Sequence, residues 1–162
     1  MRVVLLDDRL WFPSPLTAPR EGPLAVGGDL SPQRLLLAYR HGIFPWYDER
    51  TPILWHSPDP RFVIHRDAWH EPERLGRTIR TRVGGGGGLR VTIDTAFERV
   101  IRACAAAPRR GQDGTWITPA LLAAFVELHR LGHAHSVEVW RGDDLVGGIY
   151  GLAVGRAFSG ES

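Results

Sequence analysis

Among the apolar residues between Ser31 and Gly42, Leu35, Leu36, Ala38 and Tyr39 fall on one side of a helical wheel, with a serine and a proline ahead and a glycine behind. Serine accepts from the first free amides, proline is pre-set for the first turn and glycine takes a left-handed exit, so one short helix is predicted here. Downstream, Phe44 to Pro60 carries Pro45, Pro52, Pro58 and Pro60 around Trp46 and Trp55. Prolines remove donors and restrict the residues before them, which makes this stretch an extended, rigid connector. Phe62, Val63 and Ile64 read as a strand. Glu71 to Val83 has helical character, with Arg74, Arg77 and Arg80 gathered on one face. The run Gly84 to Gly88 ends it as a flexible loop.

The second half changes period twice. Arg90 to Ile93 is strand-like. Asp94 is expected to cap a helix in which Thr95 and Glu98 resemble a capping pair and Val100, Ile101 and Cys104 recur at helical spacing. A further helix starts at Thr118 and Pro119 and runs through Leu121, Leu122, Phe125 and Leu128 to Gly132. Ser136 to Trp140 and Leu145 to Ala153 then read as strands joined by the turn Arg141 to Asp144, with Phe158 in a third strand. Helices ahead of an antiparallel meander argue an α+β protein: a small N-terminal α/β domain over 1–64 and a second domain over 65–162.

Composition narrows the chemistry. At 162 residues and 43% hydrophobic, the chain can bury a core of ordinary domain size. All 20 basic side chains are arginine, and against 18 acids they leave a net charge of only +2, so no global attraction to polyanions is implied. The absence of lysine excludes Schiff-base catalysis and the phosphate-binding lysine of a P-loop. Cys104 stands alone in an alanine-rich stretch, which excludes an internal disulfide framework and reads as a buried structural thiol. The apolar start, Val3 to Leu6, meets Asp7 and Asp8 too soon for a signal-peptide core, and no apolar run approaches the roughly 20 residues of a membrane span, so a cytoplasmic protein is expected. His129, His133 and His135 lack the spacing and the adjacent glutamate of a zinc-protease helix, and are read as hydrogen-bonding groups at a helix-to-strand junction, with no metal. Gly27, Gly28 and Asp29 read as a turn into the Ser31 cap.

Five blocks carry a resemblance: Ala25-Val26-Gly27-Gly28-Asp29-Leu30-Ser31-Pro32, Gly42-Ile43-Phe44-Pro45-Trp46-Tyr47, Leu54-Trp55-His56-Ser57-Pro58-Asp59-Pro60-Arg61, Thr115-Trp116-Ile117-Thr118, and the long C-terminal run ending Phe158-Ser159-Gly160-Glu161-Ser162. In family order, they resemble the bacterial leucyl/phenylalanyl-tRNA-protein transferases. The resemblance implies an enzyme that moves Leu or Phe from Leu-tRNA or Phe-tRNA to the N-terminal Arg or Lys of acceptor proteins, marking them for degradation, with no cofactor. It also implies an acetyltransferase-like (GNAT-like) fold for the second domain and a monomer when complete. Because the family pattern continues past Ser162, that domain is expected to be truncated at its C-terminus, without the Asp and Gln the family is thought to use around the reacting amine. Where the family usually has two adjacent tryptophans, this chain has Trp55 and His56.

Candidate site residues follow from both readings. Glu161 comes after an apolar strand and a glycine that permits close approach; position alone favours a solvated strand-end carboxylate, whereas the resemblance places it beside the acceptor, where its charge suits a guanidinium or ammonium. Ile149, Tyr150 and Phe158 would, by resemblance, wall an apolar pocket for the Leu or Phe side chain, with core packing as the plainer alternative. Trp46 and Trp116 sit in loops and, by resemblance, lie near the aminoacylated adenosine, where stacking is worth roughly 1–3 kcal/mol per base. Trp11, Trp55, Trp69 and Trp140 are assigned to packing. Arg74, Arg77, Arg80 and Arg82 form a cluster able to bind tRNA phosphates or simply to be solvated. Two other functions stay open: a non-catalytic tRNA-binding fragment and a coenzyme A-dependent N-acetyltransferase.

Overall fold

The computed structural model describes residues 3–83, 88–108 and 114–162. The expected glycine loop, Gly88 apart, lies outside the described residues. Two four-stranded sheets organise the chain. The first holds β1 (Val4–Leu6), β2 (Ala25–Gly27), β3 (Phe44–Pro45) and β4 (Leu54–His56) in the order β1-β2-β4-β3, with β1 parallel to β2 and the other pairs antiparallel. The proline-rich connector contributes two short paired strands: Phe44 pairs with His56 and Pro45 with Trp55.

Between β2 and β3 runs α1 (Pro32–Arg40). Ser31 Oγ accepts the Arg34 amide, and Asp29 accepts the Ser31 amide, so the Gly27–Asp29 turn leads into the cap as the sequence indicates. At the other end Gly42 takes φ +71°, its amide reaches Tyr39 O, and the Ile43 amide reaches Ala38 O. That paired closure satisfies the last carbonyls, and glycine takes the left-handed residue without a Cβ penalty.

The connector after β4 corrects the sequence reading. Phe62, Val63 and Ile64 form no strand; they are exposed, Phe62 to 88%. Three consecutive β-formers without a partner ladder have nothing to pair with, and propensity yields to tertiary context. Beyond a short 3₁₀ turn (Arg66–Ala68), α2 (Glu73–Thr78) continues into a π-helical turn over Ile79–Val83.

The second sheet is an antiparallel meander of β5 (Leu89–Ile93), β6 (Ala134–Arg141), β7 (Asp144–Val154) and β8 (Ala157–Gly160), with α3 (Phe97–Ala106) and α4 (Pro119–Arg130) between β5 and β6. Thr118 caps α4 by accepting the Leu121 amide, and Gly132 closes it at φ +79°. The start of α3 differs from expectation. Ala96 occupies the cap position without a side-chain bond, and Asp94, at φ +58°, turns away to accept the Ser136 amide and the His135 ring N–H. Glu138 of β6, fully buried, takes over: it faces the amides of Thr95 and Ala96 and accepts the hydroxyls of Thr92, Thr95 and Ser136. Glu98 pairs with Arg102 and does not complete a capping pair.

Alternation along β6 buries Ala134, Ser136, Glu138 and Trp140 under the helices. There Phe97, Val100 and Ile101 of α3 and Leu121, Phe125 and Leu128 of α4 meet Tyr150 and Leu152 of β7 in a core continuous with Leu35, Ala38, Ile43 and Trp55 of the first sheet's layer. Edge-on ring contacts, Tyr39 to Phe125 at 6.5 Å and Phe125 to Tyr150 at 5.4 Å, tie α1 to the second layer. Cys104 is half-buried against this core. His129 bonds to Ala134 O and His135 to Asp94 through their ring nitrogens, while His133 contributes backbone bonds to the same junction. Trp55 and Trp140 are buried and Trp11 packs against the core, but Trp69 is 55% exposed and anchors nothing. The short turn Arg66–Ala68 that leads to it buries no residue of its own. No described helix is long and apolar enough to cross a membrane.

Candidate functional site

The end of β8 meets the first layer in a cleft. Phe44, Pro45, Trp46, Arg61, Trp116, Gly160 and Glu161 line it, around a volume of about 340 Å3. The Glu161 amide donates to Tyr150 O and the Tyr150 amide to Ser162 O, both at 2.9 Å, so the β7–β8 ladder carries the carboxylate beyond the last formal strand residue. A strand's two-residue period sends Glu161 and Ser159 to the face opposite Phe158 and Gly160. Glu161 therefore turns toward α1.

Trp46 is held by its amide to Leu54 O at 2.9 Å, leaving the indole half exposed. Its neighbour Tyr47 shares a 3.1 Å hydrogen bond with Thr118, the residue that caps α4. Trp116 enters the same cap turn, with its carbonyl accepting the Thr118 amide at 3.0 Å. One hydroxyl thus links the two tryptophan loops. The same two indoles border a second hollow of about 420 Å3 lined by Tyr47, Asp48, Arg50, Leu54, His56 and Thr115.

Burial pushes the Glu161 carboxyl above the ordinary range, while the Tyr39 hydroxyl, Ser159 and the charge of Arg61 pull it back only in part. The residue is half-buried, but its carboxyl lies inward, toward the buried Tyr39 hydroxyl, which makes no hydrogen bond of regular geometry among the described residues. Desolvation first, then the Glu161 charge, drive that phenol well above its usual range. His56 stands edge-on to Trp46 at 5.6 Å, and burial pulls its ring below the usual histidine value.

Glu161, Trp46 and Trp116, named from sequence, come together here. The trio Ile149, Tyr150 and Phe158 is divided: Tyr150 is wholly buried on the helix-facing side of β7, whereas Ile149 and Phe158 are exposed on the opposite face of the sheet. A Cβ on Gly160 would meet Ile149 Cδ1 at 3.3 Å, so Ile149 lies behind the strand that bears Glu161. Arg74, Arg77, Arg80 and Arg82 lie exposed on α2 and the π turn and do not line the cleft; Arg77 pairs with Glu73 at 3.5 Å and Arg80 with Glu71 at 3.8 Å. Arg61 lines the cleft and Tyr39 lies inward of it against Glu161; neither was singled out by sequence as a site residue. In sequence Tyr39 reads as one more apolar-face residue of a helix, and only Glu161, far along the chain, gives its hydroxyl a role. Among the described residues no three His, Cys, Asp or Glu side chains are placed to hold a metal ion.

The α+β molecule thus gathers a carboxylate, two half-open indoles and an arginine around one cleft. Residues 63–162 match the family model described as leucyl/phenylalanyl-tRNA protein transferase, and residues 28–59 match the model of that transferase's N-terminal domain. The chain belongs to this family. It is 56% identical over 162 residues to a leucyl/phenylalanyl-tRNA–protein transferase of Anaeromyxobacter sp. (strain Fw109-5), covering all of this chain and 67% of the relative. The protein of that name from Nitratidesulfovibrio vulgaris (strain DP4) is 55% identical over 163 residues, with 68% of it covered. One from Xanthomonas euvesicatoria pv. vesicatoria (strain 85-10) is 61% identical over 147 residues, 91% of this chain and 56% of the relative. The chain thus spans between just over half and two thirds of the length of these relatives.

Proposed function

We propose that this chain carries the aminoacyl-transfer site of its family, taking Leu or Phe from Leu-tRNA or Phe-tRNA to the N-terminal Arg or Lys of an acceptor protein in the cytoplasm and so marking it for degradation. The observation that carries the reading is the cleft itself: a desolvated carboxylate, Glu161, facing two stacking surfaces, Trp46 and Trp116. The aminoacyl ester is already activated. The acceptor amine, once its ammonium of pKa about 8 has lost a proton to solvent, attacks the ester carbonyl carbon. The new C–N amide bond forms, the bond to the ribose oxygen breaks, and the amine's second proton ends on that oxygen as the tRNA hydroxyl. Positioning is the protein's contribution. Trp46 and Trp116 hold the terminal adenosine by stacking, and Glu161 binds the acceptor's guanidinium or ammonium.

Ile149 and Phe158 stand on the far face of the sheet and Tyr150 beneath the site; in this reading Tyr150 shapes the wall that the Leu or Phe side chain meets, and the other two support the strand from behind. The arginines of α2 bind tRNA phosphates. The second unit, 65–162, is an acetyltransferase-like domain and 1–64 a small N-terminal domain, a division supported by the separate matches over 28–59 and 63–162, and the complete molecule acts as a monomer. Coenzyme A chemistry is less well supported, because β7 turns at Gly155 into β8 and offers no helix start to a pyrophosphate. Incubation with radiolabelled Leu-tRNA and a peptide beginning with Arg tests the reading. Labelled peptide supports it; binding without transfer identifies a tRNA-binding fragment, and turnover of acetyl-CoA instead would overturn it.

A further inference from the structure

The guanidinium of Arg61 lies 4.6 Å over the Phe44 ring and donates to Gly42 O at 3.2 Å. That carbonyl also accepts the Ser57 hydroxyl, at the left-handed closure of α1. Arg61 and Glu161 thus stand on walls of the same cleft supplied by different layers, and among the described residues they do not close into an ion pair. We propose that Arg61 is a positioning residue, a cation tethered to the first layer that keeps the Glu161 carboxylate charged and unoccupied until a cationic acceptor side chain arrives. The inference rests on the reading of Glu161 given above.

A carboxylate carried into a shielded cleft tends to take up a proton, and a protonated carboxyl does not hold a guanidinium. A direct salt bridge would cure that and fill the site. A cation held at a distance by a ring and a carbonyl supplies field without occupancy, because Coulomb attraction in a shielded cleft reaches well past contact. It also orients the ligand, since a positive side chain is repelled from the Phe44 wall and drawn to the Glu161 wall. The groups facing Glu161 are Tyr39 from α1, Ser159 from β8 and Arg61, with Tyr150 of β7 acting on Tyr39; of these, Arg61 is the only one charged at neutral pH.

The test titrates the Glu161 carboxyl carbon by NMR in protein labelled at glutamate, its resonance assigned by its disappearance in Glu161→Gln, alongside the pH profile of binding of a peptide beginning with Arg. Arg61→Met is expected to move the Glu161 midpoint to higher pH and, on the acidic side, to weaken the peptide about two- to fivefold, the scale of a screened charge pair. Arg61→Lys is expected to restore both. Arg61 is exposed, and unchanged circular dichroism verifies that the variants fold. A midpoint that stays in place in folded Arg61→Met overturns the inference and leaves the role of Glu161 standing. Equal use of basic and neutral N-termini by wild type and Glu161→Gln overturns the reading of Glu161, whatever Arg61 does to its titration.

Discussion

A single carboxylate in a shielded cleft has opposite effects on stability and on recognition. The folded Glu161 titrates above its unfolded value, so the native state holds its proton more tightly than the unfolded chain does. By linkage the ionised group costs stability at neutral pH, and the cost disappears as the pH falls below the unfolded value. Glu161→Gln is therefore expected to melt at a higher temperature than wild type near pH 7 and to converge with it in acid, as calorimetry across pH would read. The same variant should lose roughly tenfold or more of its preference for a basic over a neutral N-terminus, since a hydrogen bond to a charged group is worth about 1.5–3 kcal/mol. Trp46→Ala and Trp116→Ala should each weaken Leu-tRNA binding by about 1–3 kcal/mol, measured by filter binding. Trp69→Ala, at an indole about as exposed as Trp46 but outside the cleft lining, should not. Trp46, Trp116 and Glu161 could be named as candidates because each sits in a block that resembles the family. Arg34 was not legible. Its buried guanidinium ties Asp29 to the carbonyls of Asp7 and Arg9, and nothing in the run Gln33-Arg34-Leu35 marks one arginine as interior when its partners lie about 25 positions upstream.

Elements declared by their own ends were the readable ones. The helices α1 and α4 each carry a hydroxyl cap, a first-turn proline and a closing glycine within one short window, and the β6–β7 hairpin announces itself by its turn. The start of α3 is instead completed by Glu138, 42 residues past Ala96, so local pattern pointed to Asp94 in error. Burial alone would raise the Glu138 carboxyl, but the hydroxyls of Ser136, Thr92 and Thr95 outweigh it and hold the group below the ordinary range. Its stabilisation is accordingly complete above the unfolded glutamate value and lost as pH falls through the lowered folded one. Glu138→Gln should cost about 1–3 kcal/mol in neutral denaturant titrations, with the gap to wild type narrowing in acid. Phe62 to Ile64 failed as a strand for the complementary reason: β-propensity is satisfied only where a neighbouring strand offers a ladder.

At the scale of the whole molecule, charge is distributed so that only local patches can act on a polyanion. If the α2 arginines bind phosphate, replacing Arg74, Arg77, Arg80 and Arg82 with glutamine should flatten the salt dependence of tRNA binding by about 0.7–0.9 in log–log slope for each phosphate no longer neutralised, leaving discrimination between basic and neutral N-termini in the cleft unchanged. An unaltered slope assigns those arginines to solvent. The α+β class followed from the order of elements, while the cleft between the layers did not, because Tyr39, Arg61 and Glu161 meet only when two sheets and a connector are assembled. That connector has a practical consequence. Arg61 to His70 is exposed throughout, bears Arg66, and joins two layers that also hold each other through Tyr39 on Phe125 and Tyr47 on Thr118. With no lysine in the chain, trypsin can cut only after arginine, and a brief digestion that nicks the peptide after Arg66 would sever the backbone while the halves travel together on a sizing column, the indoles and the carboxylate still facing one another.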